Sequence, residues 1–299
     1  MLLLSFGSPR SVEDVPSYYT HIRGGHTPSE REIEILRERY RRIGGRSPLI
    51  DITESQKRKL QEAITREGSD TRVYFAMLHS APLVTDVVKQ MSEAGVTAIL
   101  GIPLAPHYSE VNTATYTLSV DSAIDGLPGD KRMNVDFIRS WHTRPDFIEA
   151  WARRVKEKAA ELPANYSLVF SAHSLPESIL ARGDTYPARL LETCELVASA
   201  LDGKEWSFAF QSASHTREPW LGPDLLKHLE TLRQDGFSSF LVAPIGFVSD
   251  NLEILFDLDV ECKEWAEERG VTLKRARMLN DEPDFISCLF GLVSEYGYL

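Results

Sequence analysis

The sequence predicts an α/β protein: two similar, doubly wound domains whose parallel sheets turn the carboxyl ends of their strands toward a shared cleft. Three observations predict it. Short apolar runs ending in Gly, Pro or Ser alternate with longer helical patterns, as in βαβ units around a parallel sheet. Three segments of the first half recur in the same order in the second. No low-complexity stretch or long linker interrupts the chain, so one repeat follows the other directly.

Taken in order, the strands of the first half fall at 1–6, 72–78, 97–102 and 134–140, and those of the second at 166–171, 206–211, 238–243 and 272–276. "LLLSFGSP" (2–9) parallels "LVFSAHSLP" (168–176), and "VYFAMLHSAP" (73–82) parallels "WSFAFQSASH" (206–215). "AGVTAILGIPLAPHYS" (94–109) parallels "DGFSSFLVAPIGFVSD" (235–250): a Gly, an apolar strand, a Pro eight residues after the Gly, then a Ser. The boundary is expected within 140–165, where the long helical pattern "RPDFIEAWARRVKEKAAEL" follows "IRSWHT". This gives domains 1–150 and 151–299. Each strand end at the carboxyl edge is then a candidate place for a ligand.

Composition narrows the function. The 299 residues are 42% hydrophobic and 26% charged, ordinary for a soluble globular chain. A formal net charge of −11 argues against nucleic acid as a partner. No apolar run approaches the roughly 18 residues of a membrane-spanning helix. The opening "MLLLSFG" is too short for a signal sequence and has no basic n-region or cleavage site, so the expected location is the cytoplasm. Cys194, Cys262 and Cys288 are scattered, with no C-x-x-C, and indicate neither a disulfide framework nor a zinc site. Three thiolates also fall short of the four that hold a common iron–sulfur cluster.

A basic island runs from His21 to Arg46 and contains Arg23, Arg31, Arg37, Arg39, Arg41, Arg42 and Arg46. Glu30, Glu32, Glu34 and Glu38 are interspersed, so most of it reads as a solvated helix with charge pairs. Arg23, Arg39 and Arg46 lie nearer the turn signals and are the better ligand contacts.

The chemistry concentrates in the second half. In "NLEILFDLDVE" (251–261) Glu253, Asp257 and Glu261 recur every four residues. On an α-helix four steps advance about 400°, so the row stays on one face, and Glu264 extends it. Leu252, Ile254, Leu255, Phe256, Leu258 and Val260 fill the rest, which predicts a largely buried helix. Like charges at this spacing repel, so a cation is expected at the row. Asp250 as N-cap with Glu253 as its reciprocal partner is an alternative reading of Glu253. It leaves Asp257 and Glu261 unexplained. His173 directly follows the strand pattern "YSLVFSA" and so reaches the same edge. Imidazole plus carboxylate suits a borderline divalent ion such as Fe²⁺, Co²⁺ or Zn²⁺. His107 sits at the equivalent strand end of the first half and is expected behind the ligand-contacting groups. His79 and His215 occupy matching duplicated loops and are expected to be structural.

These residues resemble a known family. "SAHSLPESI" (171–179) resembles the histidine motif of ferrochelatases, and "PIGFVSDNLEILFDLDVE" (244–261) their glutamate-bearing signature. "LLLSFGSP", "RYRRIGGRSPL" (39–49) and "QSASHTREPWLGPD" (211–224) resemble three further segments, in order over essentially the whole chain. The resemblance implies two Rossmann-like, chelatase-type domains that insert Fe²⁺ into a free-base porphyrin and release two pyrrole protons. Fe²⁺ is then a substrate, and no prosthetic group or iron–sulfur cluster is expected. By the family pattern His173 is metal contact and proton acceptor, and Glu253 is the other metal contact. Asp257 and Glu261 continue an acidic track for cations. Phe6, Arg23, Arg39, Tyr40, Ser47 and Tyr116 line the porphyrin pocket.

The chain departs from the family at three positions: Asn251 where a His is usual, Gly24 where some relatives have a second Arg, and Phe6 where some have a Tyr. The segment "GGHTPSEREIEILRERYRRIGGR" (24–46) is charged throughout and lacks the apolar lip of membrane-associated relatives that use protoporphyrin IX. Four propionates on coproporphyrin III match a basic rim of Arg23, Arg39 and Arg46, so that ring is the favoured substrate, with protoporphyrin IX the alternative. A monomer without stable membrane insertion is expected. A cobalt or nickel chelatase of a sirohydrochlorin-type ring is a rival reading, against which "IGGRSPL" argues. A metal- or haem-binding protein without turnover is another, against which the missing signal sequence argues.

Overall fold

The structure is a computed structural model and describes residues 1–214 and 218–299. The described residues form two four-stranded sheets, each wholly parallel. The first contains β1 (Leu2–Ser5), β2 (Tyr74–Met77), β3 (Ala98–Pro103) and β4 (Asn134–Phe137). The second contains β5 (Ser167–His173), β6 (Trp206–Gln211), β7 (Ser239–Ala243) and β8 (Thr272–Arg275). All eight expected strands form. The strand expected over 134–140 ends at Phe137, and Ile138 runs on with its amide donating to the Gly101 carbonyl.

The strand orders are β2-β1-β3-β4 and β6-β5-β7-β8, the same path traced twice, which is the duplication the three repeated segments imply. The repeat extends past the strands. At the end of β2 the Met77 amide donates to the Pro82 carbonyl, and at the end of β6 the Phe210 amide donates to the Pro223 carbonyl, both at 2.8 Å. In each sheet the central strands are buried on both faces, as parallel sheets covered by helices require. Leu2, Leu3 and Leu4 are fully buried, as are Phe240, Leu241, Val242 and Ala243. That is why these segments read as continuous apolar runs rather than alternating ones.

The compact units differ from the expected 1–150 and 151–299. One comprises Met1–Ser140 with Asn280–Leu299, the other Trp141–Leu279. The helix Pro145–Ala159 belongs to the second unit, where the fully buried Arg154 donates through Nε to the Met278 carbonyl at 3.2 Å. Trp141 packs edge-on against Phe147 at its start. The last helix, Pro283–Glu295, returns to the first unit and packs on the helix Leu49–Arg66. Gln56 Nε2 donates to the Asn280 carbonyl at 2.7 Å, Lys59 pairs with Asp281 at 2.6 Å, and the Thr71 hydroxyl donates to the Tyr298 carbonyl at 2.7 Å. A generic amphipathic pattern carries no mark of partners more than 200 residues away.

The segment expected as an α-helix over the acidic row is instead a π-helix, Ile254–Cys262, continued by the α-helix Lys263–Arg269. Hydrogen bonding to the fifth residue widens the turn to about 4.4 residues, so four steps fall about 30° short of a full turn instead of about 40° past it. Glu253, Asp257 and Glu261 therefore still share a face, with the drift reversed.

The returning helix generates an expectation for stability. Leu289 is fully buried on it, and Leu289→Ala is expected to lower stability by about 2–5 kcal/mol. Amide exchange read strand by strand checks the division of the chain: protection should fall in β1–β3 before β5–β8. Equal loss in both sheets would contradict it.

Candidate active site

In the second unit β5 is buried from Ser167 to Ala172 and half-buried at its last residue, His173. The ring Nδ1 is in hydrogen-bond contact with the Ser174 carbonyl. A carbonyl only accepts, so Nδ1 carries a proton and, in the neutral ring, Nε2 is the nitrogen with the lone pair. The Tyr186 hydroxyl donates to the His173 carbonyl at 3.0 Å, and the Phe247 ring lies 6.3 Å from the imidazole. Gly246 lets the loop after β7 cross here. Its amide donates to the Ser171 carbonyl at 3.2 Å, and a Cβ on it would stand 2.4 Å from the Ala172 Cβ. Any side chain at position 246 would displace β5 one residue before His173. "PIGF" contains this glycine, but its role follows only from the strand it crosses.

The loop then delivers the π-helix, and the alternative cap does not form. Asn251, not Asp250, caps the helix: its Oδ1 accepts from the Ile254 amide at 2.9 Å. Asp250 pairs with Arg275 Nη2 at 3.3 Å. Arg275 also grips Asp259 through Nε and Nη2, both at 2.7 Å. The Asn in place of the usual His thus has a structural task. Glu253 is not engaged at the cap. It is half-buried, and its carboxylate has no hydrogen-bond or ionic partner among the described residues.

Asp257 is buried, accepting from the Ser212 hydroxyl and, at 3.4 Å, from Gln211 Nε2. Glu261 is half-buried and Glu264 exposed, so the row opens toward solvent along its length. Leu252, Ile254, Phe256, Leu258 and Cys262 are buried around it, while Leu255 and Val260 are half-buried. Burial, followed by the nearby carboxylates of Asp257, Glu261, Asp224 and Asp259, pushes the Cys262 thiol well up. Cys262 is therefore a neutral packing group. Among the described residues no three His, Cys, Asp or Glu side chains close into a cage for an ion.

The first unit presents different chemistry at its own strand ends. Phe6 directly follows β1 and is 37% exposed, with its ring 4.6 Å from that of His79. His79 Nδ1 lies 3.0 Å from His21 Nδ1. Burial, and then the neighbouring His21, lower the His79 pKa to about 4, so this ring is neutral at physiological pH. His79 thus has Phe6 and His21 as ring partners at this edge. His107 is buried, its carbonyl accepting from the Thr113 hydroxyl at 3.0 Å. His215 lies outside the described residues.

The basic island pairs internally, as its interspersed glutamates imply. Arg23 meets Glu32 at 2.8 Å, Arg41 meets Glu34 and Glu38 at 2.6 and 3.2 Å, and Arg46 meets Asp51 at 2.6 Å. Ser29 and Glu32 form a reciprocal capping box at the start of the helix Glu30–Arg42. Arg39 is half-buried on that helix. Gly24 adopts φ +62, a left-handed turn that favours glycine over the Arg of some relatives.

Tyr40 is buried, its hydroxyl 3.2 Å from Ser8 Oγ. Ser47 is buried and its Oγ accepts from the Leu49 amide at 3.2 Å, which leaves its own hydrogen uncommitted. Tyr116 packs its ring in the first unit's core among Leu2, Leu4, Val84 and Val120. Its hydroxyl has no hydrogen-bond partner among the described residues, and burial raises its phenol well above the usual range, keeping it a donor.

Comparison with known proteins bears on the whole chain. The ferrochelatase family model matches residues 1–296. A ferrochelatase of Herpetosiphon aurantiacus is 40% identical over 299 residues, covering 98% of this chain and 97% of that protein. Coproporphyrin III ferrochelatases of Anoxybacillus flavithermus and Bacillus subtilis are 41% and 36% identical over 300 residues each. They cover 98% of this chain, and 94% and 96% of their own lengths. Among solved structures, SirB from Bacillus subtilis with Fe³⁺ superposes with a TM-score of 0.60 at 11% identity, covering 99% of this chain and 97% of that one. CbiX, the terminal enzyme for biosynthesis of sirohaem in denitrifying bacteria, gives 0.54 at 9%, covering 98% and 97%. At those identities the two structures establish the fold alone. With repeated sheets, motifs in order and a match from end to end, the chain belongs to the ferrochelatase family of metal chelatases.

Proposed function

We propose that the protein inserts Fe²⁺ into coproporphyrin III, in the cytoplasm, as a monomer with no prosthetic group or iron–sulfur cluster. One observation carries the reading. Within one unit, an imidazole with an open Nε2 and a carboxylate without a partner among the described residues lie at or beyond the ends of the paired strands β5 and β7. The balance of the reaction asks for both. One Fe²⁺ enters the ring as two pyrrole protons leave, so a base must take a proton where a cation arrives. His173 Nε2 is that base and a metal contact. Glu253 is the other contact, and Asp257 and Glu261 lead the cation toward it. A planar ring hides its nitrogen lone pairs, so gripping it in a distorted shape lowers the barrier to metal entry.

The remaining assignments rest on the family pattern. Phe6 gives the ring an exposed apolar contact, Tyr40 closes the pocket behind it, and Tyr116 and Ser47 have hydroxyl hydrogens to offer propionates. Arg23 and Arg39 offer charge. Exposed pairs such as Arg23–Glu32 contribute little to stability, so a propionate can replace the glutamate. Relatives at about 40% identity bear the name coproporphyrin III ferrochelatase, and no helix of the described residues is long and apolar enough to cross a membrane. Both support the more anionic ring.

His173→Ala is expected to lower kcat by about 10²–10⁴-fold, the usual contribution of a general base, with an unchanged melting temperature. Retention of more than about a tenth of wild-type kcat would remove His173 from this role. Glu253→Gln is expected to impair turnover strongly, whereas Asp257→Asn and Glu261→Gln raise the KM for Fe²⁺. A silent Glu253→Gln would break the track at its first step. The substrate is decided by kcat/KM for coproporphyrin III and protoporphyrin IX in detergent-free buffer. Coproporphyrin is expected to be preferred, and preference for protoporphyrin would overturn that assignment. Multiple turnovers separate an enzyme from a binder, which stops at one equivalent. A preference for Co²⁺ or Ni²⁺ with a sirohydrochlorin-type ring would mark the other kind of chelatase.

A further inference from the structure

The end of β6 carries a buried amide that touches both halves of the second unit's site. Gln211 is 2% exposed and is the register partner of His173. Its carbonyl accepts from the Ser174 amide at 2.8 Å, and Ser174 is the residue whose own carbonyl fixes the His173 tautomer. The Ser171 hydroxyl donates to its Oε1 at 2.9 Å. With Oε1 so committed, Nε2 must face the π-helix, where it lies 3.4 Å from both the Glu253 carbonyl and Asp257 Oδ2. The next residue, Ser212, takes φ +62, uncommon outside glycine, and gives its hydroxyl to the same carboxylate. Two successive residues at one strand end thus aim donors at the middle of the acidic row.

We propose that Gln211 is a positioning residue that holds the acidic π-helix in register with His173, so that Glu253 and Asp257 meet the arriving cation at a fixed place. The side-chain chemistry supports an amide in particular. A carboxylate at 211 would repel Asp257, and an apolar side chain would leave the buried Ser171 hydroxyl without this acceptor and the Glu253 carbonyl without this donor. The inference rests on the proposed metal path.

Gln211→Met keeps the volume and removes both hydrogen-bonding ends. Groups behind metal ligands typically govern 10–100-fold in metal affinity or activity. The expected result is a rise of about 10–100-fold in the KM for Fe²⁺ and in the Kd for Co²⁺ measured by calorimetry without porphyrin. The porphyrin KM should stay unchanged. A merely structural role would lower the active fraction and leave every KM unmoved, and that result, or a rise in the porphyrin KM alone, overturns the proposal. If Gln211→Met does not fold, Ser171→Ala decides alone. It frees the amide to turn and is expected to raise the Co²⁺ Kd at least about threefold, and no rise overturns the proposal. The calorimetry needs no turnover, so a wild-type protein that binds Co²⁺ but metallates no porphyrin sinks the proposed function and still lets the Gln211 comparison be read.

Discussion

The strand β5 is paired on both edges and buried on both faces, and the geometry of the second unit's site depends on that constraint. β6 claims one side and β7 the other. Beyond the residues paired with β7 the claims continue, with the Ser171 carbonyl accepting from Gly246 and, past the strand end, the Ser174 amide bound to Gln211. His173 is the first residue whose side chain escapes the sheet, on a backbone whose neighbouring polar groups are already committed. Tyr186 holds its carbonyl and Ser174 holds its Nδ1. Among the described residues, nothing holds Nε2. In the role proposed for His173, a base held in this way needs no reorganisation when a proton arrives.

The charges follow a complementary logic. Of the acidic residues from 250 to 261, Asp250 and Asp259 are taken by Arg275, whose own charge state is favoured by those two carboxylates despite its burial. Arg275 therefore neutralises the acids that lie off the row. Glu253 has no cation among the described residues, and Asp257 receives neutral donors, an amide and a hydroxyl. Neutral donors such as these stabilise a carboxylate without cancelling its charge. Keeping like charges close on one helix face is unfavourable, by about 0.2–0.5 kcal/mol per exposed pair. Proteins hold unfavourable features of this kind chiefly where function needs them.

The parts of this arrangement that were legible in the sequence are those set by local pattern. Buried parallel strands must be apolar throughout, so all eight were visible, and the repeated order of three segments carried the duplicated topology. His173 and the four-residue carboxylate spacing were visible for the same reason. The π winding was not: the wider turn keeps residues four apart on one face, so the spacing reads alike in either helix. Asp250 is as good a cap as Asn251 by residue type, and only the claim of Arg275 on Asp250 separates them. Gly246 and Gln211 sit inside recognised motifs, but their tasks are defined by Ala172 and Asp257, which lie 74 and 46 residues away in the chain. The return of the last helix to the first unit is likewise a long-range choice among similar apolar faces.

Duplication explains why the two units share a path yet differ at their strand ends. A parallel sheet holds its carboxyl edge in place through buried residues, so side chains beyond that edge can change without disturbing the core. In the second unit the edge holds an imidazole with an open nitrogen and an anionic row. In the first it holds an exposed phenyl ring against an imidazole that burial keeps neutral. A neutral, partly apolar edge is suited to the face of a flat conjugated ring, which gains from dispersion and stacking and offers little charge at its centre. An edge with a base and carboxylates is suited to protons and cations. One sheet path, repeated, thus carries a neutral, partly apolar edge in the first unit and an edge with an imidazole and carboxylates in the second.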